Sequence, residues 1–482
     1  MLGITKIGQR AVRSVIALSS RTLVLNIINF IGALALTIFL TREEFGIFVL
    51  TSAIVEMLTY FSDIGLAGAL IQKKGKLKSE EIEATFTVQE LLVLLMIGLA
   101  LVLSGPISRF YGLSQSGLYL FYSLLIAFFL SSLKTIPSVL LARKLKFEKI
   151  IIPQIAETVV FNGILVVMAF MGFGIKSYIV AVLLRSIVGV VAIYLLVPWR
   201  PRIRLSIKAI KSLLSFGIPY QMNSVLAVFK DKVSLLILGK ILGLEAMGIL
   251  GWAEKWANLA LRYFLDTTIK VAFPLFSRLQ HEKEKASQSL ESFVYFIATL
   301  ALPVLAGAYL LMPRIVLTIP KYIKWQPGLT TFNLFLISAS IAAISTFFTN
   351  FLMAMGKIKQ VVGLMIFWTA LTLSLYPVLA LKFGYEGVAL GSIIISLTSG
   401  IAYLLVRRVV EFKLLINVLP GLIGSFLMIV IVKAVDQFLP VGYIGIVMMV
   451  LVGVLSYIGS IMIINGKRLK EQVKLFVSYA KN

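Results

Sequence analysis

Long apolar runs separated by short polar loops follow one another along the whole chain. A helix needs about 20 apolar residues to cross the hydrocarbon core of a bilayer, and about fourteen runs reach that length. They cover residues 17–40, 45–71, 84–104, 116–142, 150–172, 176–197, 212–240, 246–272, 290–317, 329–355, 361–382, 385–406, 414–435 and 441–464. The pattern predicts an all-α polytopic membrane protein with about fourteen transmembrane helices.

Basic residues are concentrated in every second loop. The clusters include Lys73, Lys74, Lys76 and Lys78, then Arg143, Lys144, Lys146 and Lys149, then Arg200, Arg202, Arg204, Lys208 and Lys211, and in the tail Lys467, Arg468, Lys470 and Lys474. Cytoplasmic loops of membrane proteins carry this excess of Lys and Arg. The bias predicts cytoplasmic N- and C-termini. It also accounts for the net charge of +25, which we therefore assign to orientation in the membrane rather than to nucleic-acid binding.

The amino-acid composition limits the kinds of chemistry that the protein can perform. Hydrophobic residues make up 59% of the chain and charged residues 14%, which is more apolar surface than a soluble protein could bury. Cysteine is absent, which excludes disulfides, thiol nucleophiles and thiolate metal sites, and the single histidine, His281, lies in the polar run SRLQHEKEKASQS. These absences exclude most classical hydrolytic chemistry. We expect no metal site and no cofactor, and we expect that the protein is not an enzyme.

Two short stretches predict an internal repeat, the alternative being chance similarity in an apolar sequence of low diversity. Residues 40–48, LTREEFGIF, align with residues 242–250, LGLEAMGIL, at an offset of 202. The alignment pairs Leu40 with Leu242, Glu43 with Glu245, Gly46 with Gly248 and Ile47 with Ile249. Both stretches join an odd span to the next even span, so the repeat predicts two six-helix lobes related by a pseudo-two-fold axis, a common transporter architecture. We predict an N-lobe at 1–200, a C-lobe at 201–410, and two further helices with a basic cytoplasmic tail at 411–482.

Ionisable residues lie inside the predicted spans, where each costs about 2.5 to 3.5 kcal/mol at the bilayer centre. Such residues usually face a bundle interior or a water-filled cavity, so we predict that they line a central cavity between the lobes. Cations predominate, which predicts an anionic substrate; the candidate substrate-binding residues are Arg21, Arg185, Lys230, Lys255 and Arg262. Polar and acidic candidates for the cavity wall, or for coupling to proton or sodium movement, are Asn26, Asn29, Asp63, Glu157, Asp231, Asn258 and Asp266.

Some of these charges have a structural alternative. Asp266 lies one helical turn from a cation on either side, which is the spacing of a local ion-pair ladder. Lys134 lies near a cytoplasmic helix end and is expected to extend toward the lipid headgroups. Glu56 and Asp63 are expected to pair with Arg185 or with Lys134.

The stretch AVFKDKVSLLILG places Lys230, Asp231 and Lys232 side by side within a span. Consecutive residues of a helix are turned by about 100°, so the three side chains cannot all face one cavity. We predict that Lys230 faces the cavity and that Lys232 reaches toward the outer interface. Asp231 is expected to bond to Lys255 or Arg262.

Four stretches follow the pattern of a known family. FGIFVLTSAIVEMLTYFSDIGLAGALIQK has Asp63 and Gly65 at an Asp-x-Gly near its inner end, and IPSVLLARKLKFEK has Pro137, Arg143 and Phe147 in a helix and the loop after it. The other two are LLSFGIPYQMNSVLAVFKDKVSLLILGKILGLEAMGILGWAEKW and FPLFSRLQHEKEK. Together they resemble helices two, four, seven and eight of the bacterial polysaccharide biosynthesis proteins, oligosaccharide flippases of the multidrug/oligosaccharidyl-lipid/polysaccharide exporter superfamily.

The resemblance implies a flippase that moves an undecaprenyl-pyrophosphate-linked oligosaccharide repeat unit, of O-antigen or exopolysaccharide, across the bacterial inner membrane by alternating access. The cationic cavity would hold the pyrophosphate and acidic sugars, while the lipid tail stays in a groove at a lobe edge. The resemblance also implies polysaccharide polymerase and chain-length machinery as partners. The Lys-Asp-Lys triplet is more basic than the family's acidic position in helix seven, so the resemblance by itself does not give Asp231 a cation-binding role.

Two other functions compete with this one. A cation-coupled multidrug exporter of the same superfamily would need an acidic cavity for cationic drugs, whereas the central excess here is basic. A membrane glycan polymerase or ligase would need long outer loops with acidic residues or histidines for general acid–base chemistry. The longest predicted outer loop, PKYIKWQPG, has cations and a tryptophan but neither acid nor histidine. The sequence therefore favours the flippase.

Overall fold

The computed structural model describes residues 25, 27–62, 65–73, 75–144, 146–206, 210–211, 213 and 229–481. Every regular element in these residues is helical, which confirms the predicted fold class. The chain divides into two compact units, Met1–Gly248 and Ile249–Asn482, which we call unit 1 and unit 2. The lobe boundaries predicted at residues 200 and 410 stay a prediction.

Unit 1 contains nine helices in the described residues and the start of a tenth. They are α1 (Ile27–Phe39), α2 (Arg42–Ser62), α3 (Leu66–Gln72), α4 (Ser79–Tyr111), α5 (Gln115–Leu133), α6 (Thr135–Arg143), α7 (Phe147–Phe170), α8 (Lys176–Leu196), α9 (229–242) and α10 (Leu244–Arg278), within which the division between the units falls.

Two of the predicted spans are broken in the structure. The run 45–71 becomes α2 and α3, and Gly65, with a φ of 79°, precedes α3. A φ in this left-handed region is readily accessible only to glycine. The run 116–142 becomes α5 and α6, which are separated at Lys134.

The core of unit 1 forms where α8 packs against α5 and α7, and where α2 and α4 pack against α5. Phe48 on α2 stacks on the buried Tyr178 of α8, with ring centroids 3.9 Å apart and planes 10° apart. The opposite face of α4 exposes large apolar side chains, including Leu95 and Val102. Exposed apolar helix faces of this kind suit a lipid environment, because lipid tails are as apolar as the side chains.

Unit 2 continues α10 and adds helices on its C-terminal side. They are α11 (Lys283–Thr318), a short 3₁₀ turn (Ile323–Gly328), α12 (Leu329–Ala354), α13 (Ile358–Leu397), α14 (Gly400–Arg407), α15 (Leu414–Asp436) and α16 (Tyr443–Lys481). Gly384, with a φ of 59°, lies inside α13 at a kink between two helical segments. This kink falls between the predicted spans 361–382 and 385–406.

The core of unit 2 is centred on α11, which packs against α12, α15 and α16. At one end of the unit, the fully buried Trp252 of α10 stacks on Trp325 of the 3₁₀ turn, with centroids 5.4 Å apart and planes 4° apart. The indole Nε1 of Trp252 donates a hydrogen bond to the Tyr322 hydroxyl at 3.1 Å. The loop PKYIKWQPG is therefore anchored in the core by its aromatic residues.

Nine helices among the described residues are long and apolar enough to cross a membrane. Together with the fold, they identify the chain as a multi-pass membrane protein. The count of about fourteen spans stays a prediction.

Candidate functional site

Glu157 is the buried centre of an ion cluster in unit 1. Lys134 Nζ, at the break between α5 and α6, is 2.6 Å from Glu157 Oε1, and Arg185 Nε on α8 is 3.8 Å from Glu157 Oε2. Gly189 follows Arg185 by one turn, and a Cβ built on it would overlap Glu157 Oε1. The prediction that Lys134 extends toward the headgroups is wrong, because a carboxylate within the bundle engages its ammonium group.

Arg185 is only partly engaged by this cluster. Its guanidinium lies 5.4 Å from the centroid of the Phe161 ring, and 49% of its side chain remains exposed. A guanidinium has five N–H donors, more than one carboxylate oxygen at 3.8 Å can use. Arg185 can therefore contact an additional anion without releasing Glu157.

A second polar contact joins α1 to α7. Asn162 Nδ2 lies 3.2 Å from Asn29 Oδ1 and donates to the carbonyl oxygen of Thr158 at 2.9 Å. Gly32 lies against the same amide, and a Cβ built on Gly32 would overlap Asn162 Oδ1. Of the polar residues predicted on the first span, Asn29 is thus placed beside a buried amide of α7.

The charged triplet of α9 is divided between two ion pairs. Lys230 Nζ lies 3.3 Å from Asp231 Oδ1, whereas Lys232 forms an ion pair with Glu56 of α2. Lys232 therefore does not reach toward the interface as predicted, and Glu56 pairs with neither Arg185 nor Lys134. The pair of Lys232 with Glu56 follows from the packing of α9 against α2, which are distant in sequence, whereas Lys230 and Asp231 are neighbours in α9. The predicted bond from Asp231 to Lys255 or Arg262 stays a prediction.

The remaining predicted residues fall on α10 or outside the described part of the chain. Lys255 and Asn258 are half-buried on α10, and Arg262 on the same helix is exposed. Asp266 also lies on α10, and its side chain is outside the described set; Arg21, Asn26 and Asp63 lie outside the described residues altogether. The candidate substrate-binding cations are therefore found in both units, with Arg185 and Lys230 in unit 1 and Lys255 and Arg262 in unit 2.

The two repeat-related segments meet at the start of α2 and the start of α10. A Cβ built on Gly46 would overlap the Leu244 carbonyl oxygen and lie 2.9 Å from the Gly248 nitrogen. A Cβ built on Gly248 would overlap the Arg42 carbonyl oxygen and lie 3.2 Å from the Gly46 nitrogen. Beside this contact, Arg42 Nη1 is 2.8 Å from Glu245 Oε1. Only a residue without a side chain permits so close a backbone approach.

Two acidic residues were missing from the sequence-based set of site residues. Glu56 is the partner of Lys232, and Glu90 on α4 accepts a hydrogen bond from Ser132 on α5 at 2.9 Å. The sequence does indicate both residues as candidates, because each is an acidic residue within a predicted apolar span. Their partners depend on helix packing, which the apolar pattern does not specify.

Comparison with known proteins gives one family. A family model described as polysaccharide biosynthesis protein matches residues 35–322. Among relatives, the succinoglycan biosynthesis transport protein ExoT of Rhizobium meliloti (strain 1021) is 24% identical over 361 residues, which are 74% of this chain and 71% of that protein.

Two solved structures share the fold. The lipid II flippase MurJ in an inward closed conformation matches with a TM-score of 0.79 and 16% identity, covering 94% of this chain and 100% of that chain. A multidrug resistance MATE family transporter of the MOP superfamily, in an inward-facing conformation, matches with a TM-score of 0.62 and 15% identity, covering 80% of this chain and 94% of that chain.

Proposed function

Because the chain belongs to the polysaccharide biosynthesis protein family, we propose that it is a flippase for a lipid-linked oligosaccharide. In this proposal it moves an undecaprenyl-pyrophosphate-linked repeat unit from the cytoplasmic to the outer leaflet of the bacterial inner membrane by alternating access. The relative named as a succinoglycan transport protein and the fold shared with a lipid II flippase support this function.

The main structural support for the proposal is the charge balance of the ion cluster around Glu157. Glu157 is contacted by two cations, and half of the Arg185 side chain remains exposed. Guanidinium groups bind phosphate oxygens with bidentate geometry, which makes Arg185 a suitable contact for a pyrophosphate. Lys230, Lys255 and Arg262 are the further cations that we assign to the anionic substrate, with Arg21 from the first predicted span.

The polar residues have different proposed roles. Asn29 and Asn258 provide amide donors and acceptors suited to sugar hydroxyl groups. Asp63, Asp231 and Asp266 remain candidates for ion coupling, and Asn26 a candidate for the cavity wall. Glu157 is assigned a positioning role instead, because its two oxygens already face Lys134 and Arg185.

Alternating access requires that the two repeats separate on one side of the membrane at a time. The contact of Gly46 with Gly248 supports such a mechanism, because it involves backbone atoms of repeat-related segments and little side-chain interdigitation. With cytoplasmic termini, as the loop charges predict, this contact lies on the outer side. We propose that it opens when the substrate is released there.

The alternative functions receive less support. A drug exporter would bind its cationic substrate in an acidic cavity, whereas Glu56 and Glu157 are both neutralised by basic partners. The fold similarity is also closer to the flippase than to the exporter, with TM-scores of 0.79 and 0.62. A glycan polymerase or ligase is disfavoured because the relatives named are transport proteins rather than enzymes. A polymerase and chain-length machinery are instead proposed as partners that receive the translocated unit.

Single alanine substitutions of Arg185, Lys230, Lys255 and Arg262 test this function in a strain whose surface glycan depends on the protein. We expect at least two of them to abolish glycan export while the protein level in the membrane stays normal. Lys359→Ala is the matched control, because Lys359 is an exposed cation at the start of α13. Normal export by all four variants would contradict the proposed site.

A second measurement distinguishes the drug exporter. Cells expressing the wild-type protein are loaded with a cationic dye such as ethidium, and its efflux is followed by fluorescence. We expect the same efflux as in cells without the protein. Faster efflux would favour the exporter.

A further inference from the structure

Glu90 lies on α4 opposite the break between α5 and α6. Ser132 Oγ, in the last turn of α5, is 2.9 Å from Glu90 Oε2. The preceding residue, Gln89, donates from Nε2 to Thr135 Oγ1 at 2.8 Å, at the start of α6. The side chains of α4 therefore contact the chain on both sides of Lys134, and Glu90 lies beside a helix break within the apolar part of unit 1.

Glu90 differs from Glu157 in its partners. Glu157 contacts Lys134 at the same break and also has Arg185 as a partner. Glu90 Oε1 is buried and has no hydrogen-bond donor among the residues that the structure describes. An ionised carboxylate with an unsatisfied oxygen is costly in an apolar environment, and buried carboxyl groups without a partner usually become neutral instead.

The hydrogen atoms around Ser132 lead to the same conclusion. Ser132 Oγ is 2.7 Å from the Phe129 carbonyl oxygen as well as 2.9 Å from Glu90 Oε2, but a hydroxyl group has a single hydrogen. If Glu90 is ionised, one of these two acceptors has no donor from Ser132. If Glu90 is protonated at Oε2, its hydroxyl donates to Ser132 Oγ, and Ser132 donates to Phe129. The added proton therefore completes the chain of hydrogen bonds.

Three charged groups on or next to the helices that pack against α4 have partners other than Glu90. Lys134, at the end of α5, contacts Glu157; Lys73, after α3, pairs with Glu81; and Glu56 of α2 pairs with Lys232. From α8, the Tyr194 hydroxyl donates to the Leu133 carbonyl oxygen at 3.1 Å. In the described part of the chain, no cation forms an ion pair with Glu90 in place of a proton.

We propose that Glu90 is a proton-binding site of unit 1. Its carboxylate takes up one proton from water at Oε2, which removes the negative charge and lets the hydroxyl donate to Ser132. Release of that proton restores the carboxylate and withdraws the donor. The site does not depend on which substrate the chain carries, and it is separate from the ion cluster around Glu157.

Carbodiimide labelling tests this site on the full-length wild-type protein. The carboxylic acid adds across one C=N bond of dicyclohexylcarbodiimide: its proton moves to nitrogen, the carboxyl oxygen bonds to carbon, and rearrangement gives a stable N-acylurea. The reaction releases no leaving group, so the labelled peptide gains the full mass of the reagent. We expect this mass on the Glu90 peptide, less of it as the pH rises, and none on the Glu157 peptide, which is the internal control.

Glu90→Gln keeps the shape of the side chain and removes its proton site. We expect this variant to lose the adduct and also to lose the infrared C=O band of a protonated carboxyl group in the wild-type spectrum. The infrared band alone would still support the proposal if the reagent fails to reach the site. Absence of both signals in the wild-type protein, or an adduct on Glu157 with neither signal from Glu90, would overturn it. Neither readout requires transport. Failure of the proton-binding proposal can therefore be distinguished from failure of the proposed flippase function, which the glycan-export assay tests.

Discussion

Gly46 and Gly248 make the same contact in opposite directions. Each glycine lies against the carbonyl oxygen of the residue four positions before the other, Leu244 for Gly46 and Arg42 for Gly248. The two glycines, and likewise the two carbonyl residues, are related by the repeat offset of 202 in the sequence. Such a reciprocal contact is what a local two-fold axis produces. The symmetric backbone contact between the starts of α2 and α10 therefore agrees with the predicted internal repeat.

Substitution at either glycine is expected to destabilise this contact to a similar extent. An added methyl group in Gly46→Ala or Gly248→Ala overlaps a carbonyl oxygen, and overpacking of this kind costs about 1 to 3 kcal/mol. The melting temperature of the purified protein measures the loss. Because both variants disturb one shared contact, the double variant is expected to lose less than the sum of the single variants.

Gly98→Ala is the control for these variants. Gly98 is an exposed residue of α4, and a Cβ built on it meets nothing within 4 Å. Alanine favours the helix by about 1 kcal/mol relative to glycine, so this variant should melt no lower than the wild type. Strictly additive losses at Gly46 and Gly248 would show that the two residues do not share a contact.

Cross-linking tests whether the contact must open during transport. The chain has no cysteine, so Arg42→Cys with Glu245→Cys introduces the only two thiols. Their side chains replace an ion pair of 2.8 Å, and a short bis-methanethiosulfonate reagent should join them. Under the proposed mechanism, glycan export stops after cross-linking and resumes after reduction. Each single-cysteine variant, treated in the same way, should keep exporting. Full export by the cross-linked protein would exclude an opening at this contact.

The apolar pattern predicted the helices well because bilayer thickness sets their length. The run 84–104, for example, lies within α4, and the run 414–435 nearly coincides with α15. The break at Lys134 was not predicted, because apolar residues continue on both sides of it. A hydropathy pattern records how much apolar surface a segment has, and it contains little information on local kinks.

The candidate site was less predictable than the helices. The rule that ionisable residues in spans are functional or paired selected Glu157 and Arg185, which lie 3.8 Å apart. It did not find the pair of Lys232 with Glu56, because that pair depends on the rotation and packing of α2 and α9. The repeat alignment selected Gly46 and Gly248 as equivalent residues but gave no indication that they touch.

The pair of Lys134 and Glu157 is expected to behave as a coupled unit. Lys134→Met leaves Glu157 with Arg185 alone at 3.8 Å, and removing one partner of a buried pair typically costs about 3 to 5 kcal/mol. Glu157→Gln likewise leaves Lys134 without its carboxylate. The double variant should recover most of the loss, as measured by melting temperature in a double-mutant cycle. Lys176→Met, at an exposed cation on the first turn of α8, should change little. A double variant whose loss equals the sum of the two single losses would contradict the coupling.

Arg143 is expected to stabilise the inner end of α3 rather than to bind substrate. Its Nη1 donates to the carbonyl oxygens of Leu70 at 2.6 Å and Lys73 at 2.8 Å, and its Nη2 donates to that of Gly75 at 2.5 Å. The last carbonyl groups of a helix have no partners within that helix, and a guanidinium group both satisfies them and complements the helix dipole.

Arg143→Ala removes all three of these bonds. Since hydrogen bonds to charged groups contribute about 1.5 to 3 kcal/mol each, the variant should melt well below the wild type and reach the membrane in smaller amounts. Arg143→Lys should recover only part of this loss, because one ammonium group lacks the planar fork that reaches several carbonyl groups at once. Lys144→Ala removes the adjacent exposed cation and should leave both readouts unchanged. If Arg143→Ala melts normally but abolishes glycan export, the residue acts on the substrate and the capping role is wrong.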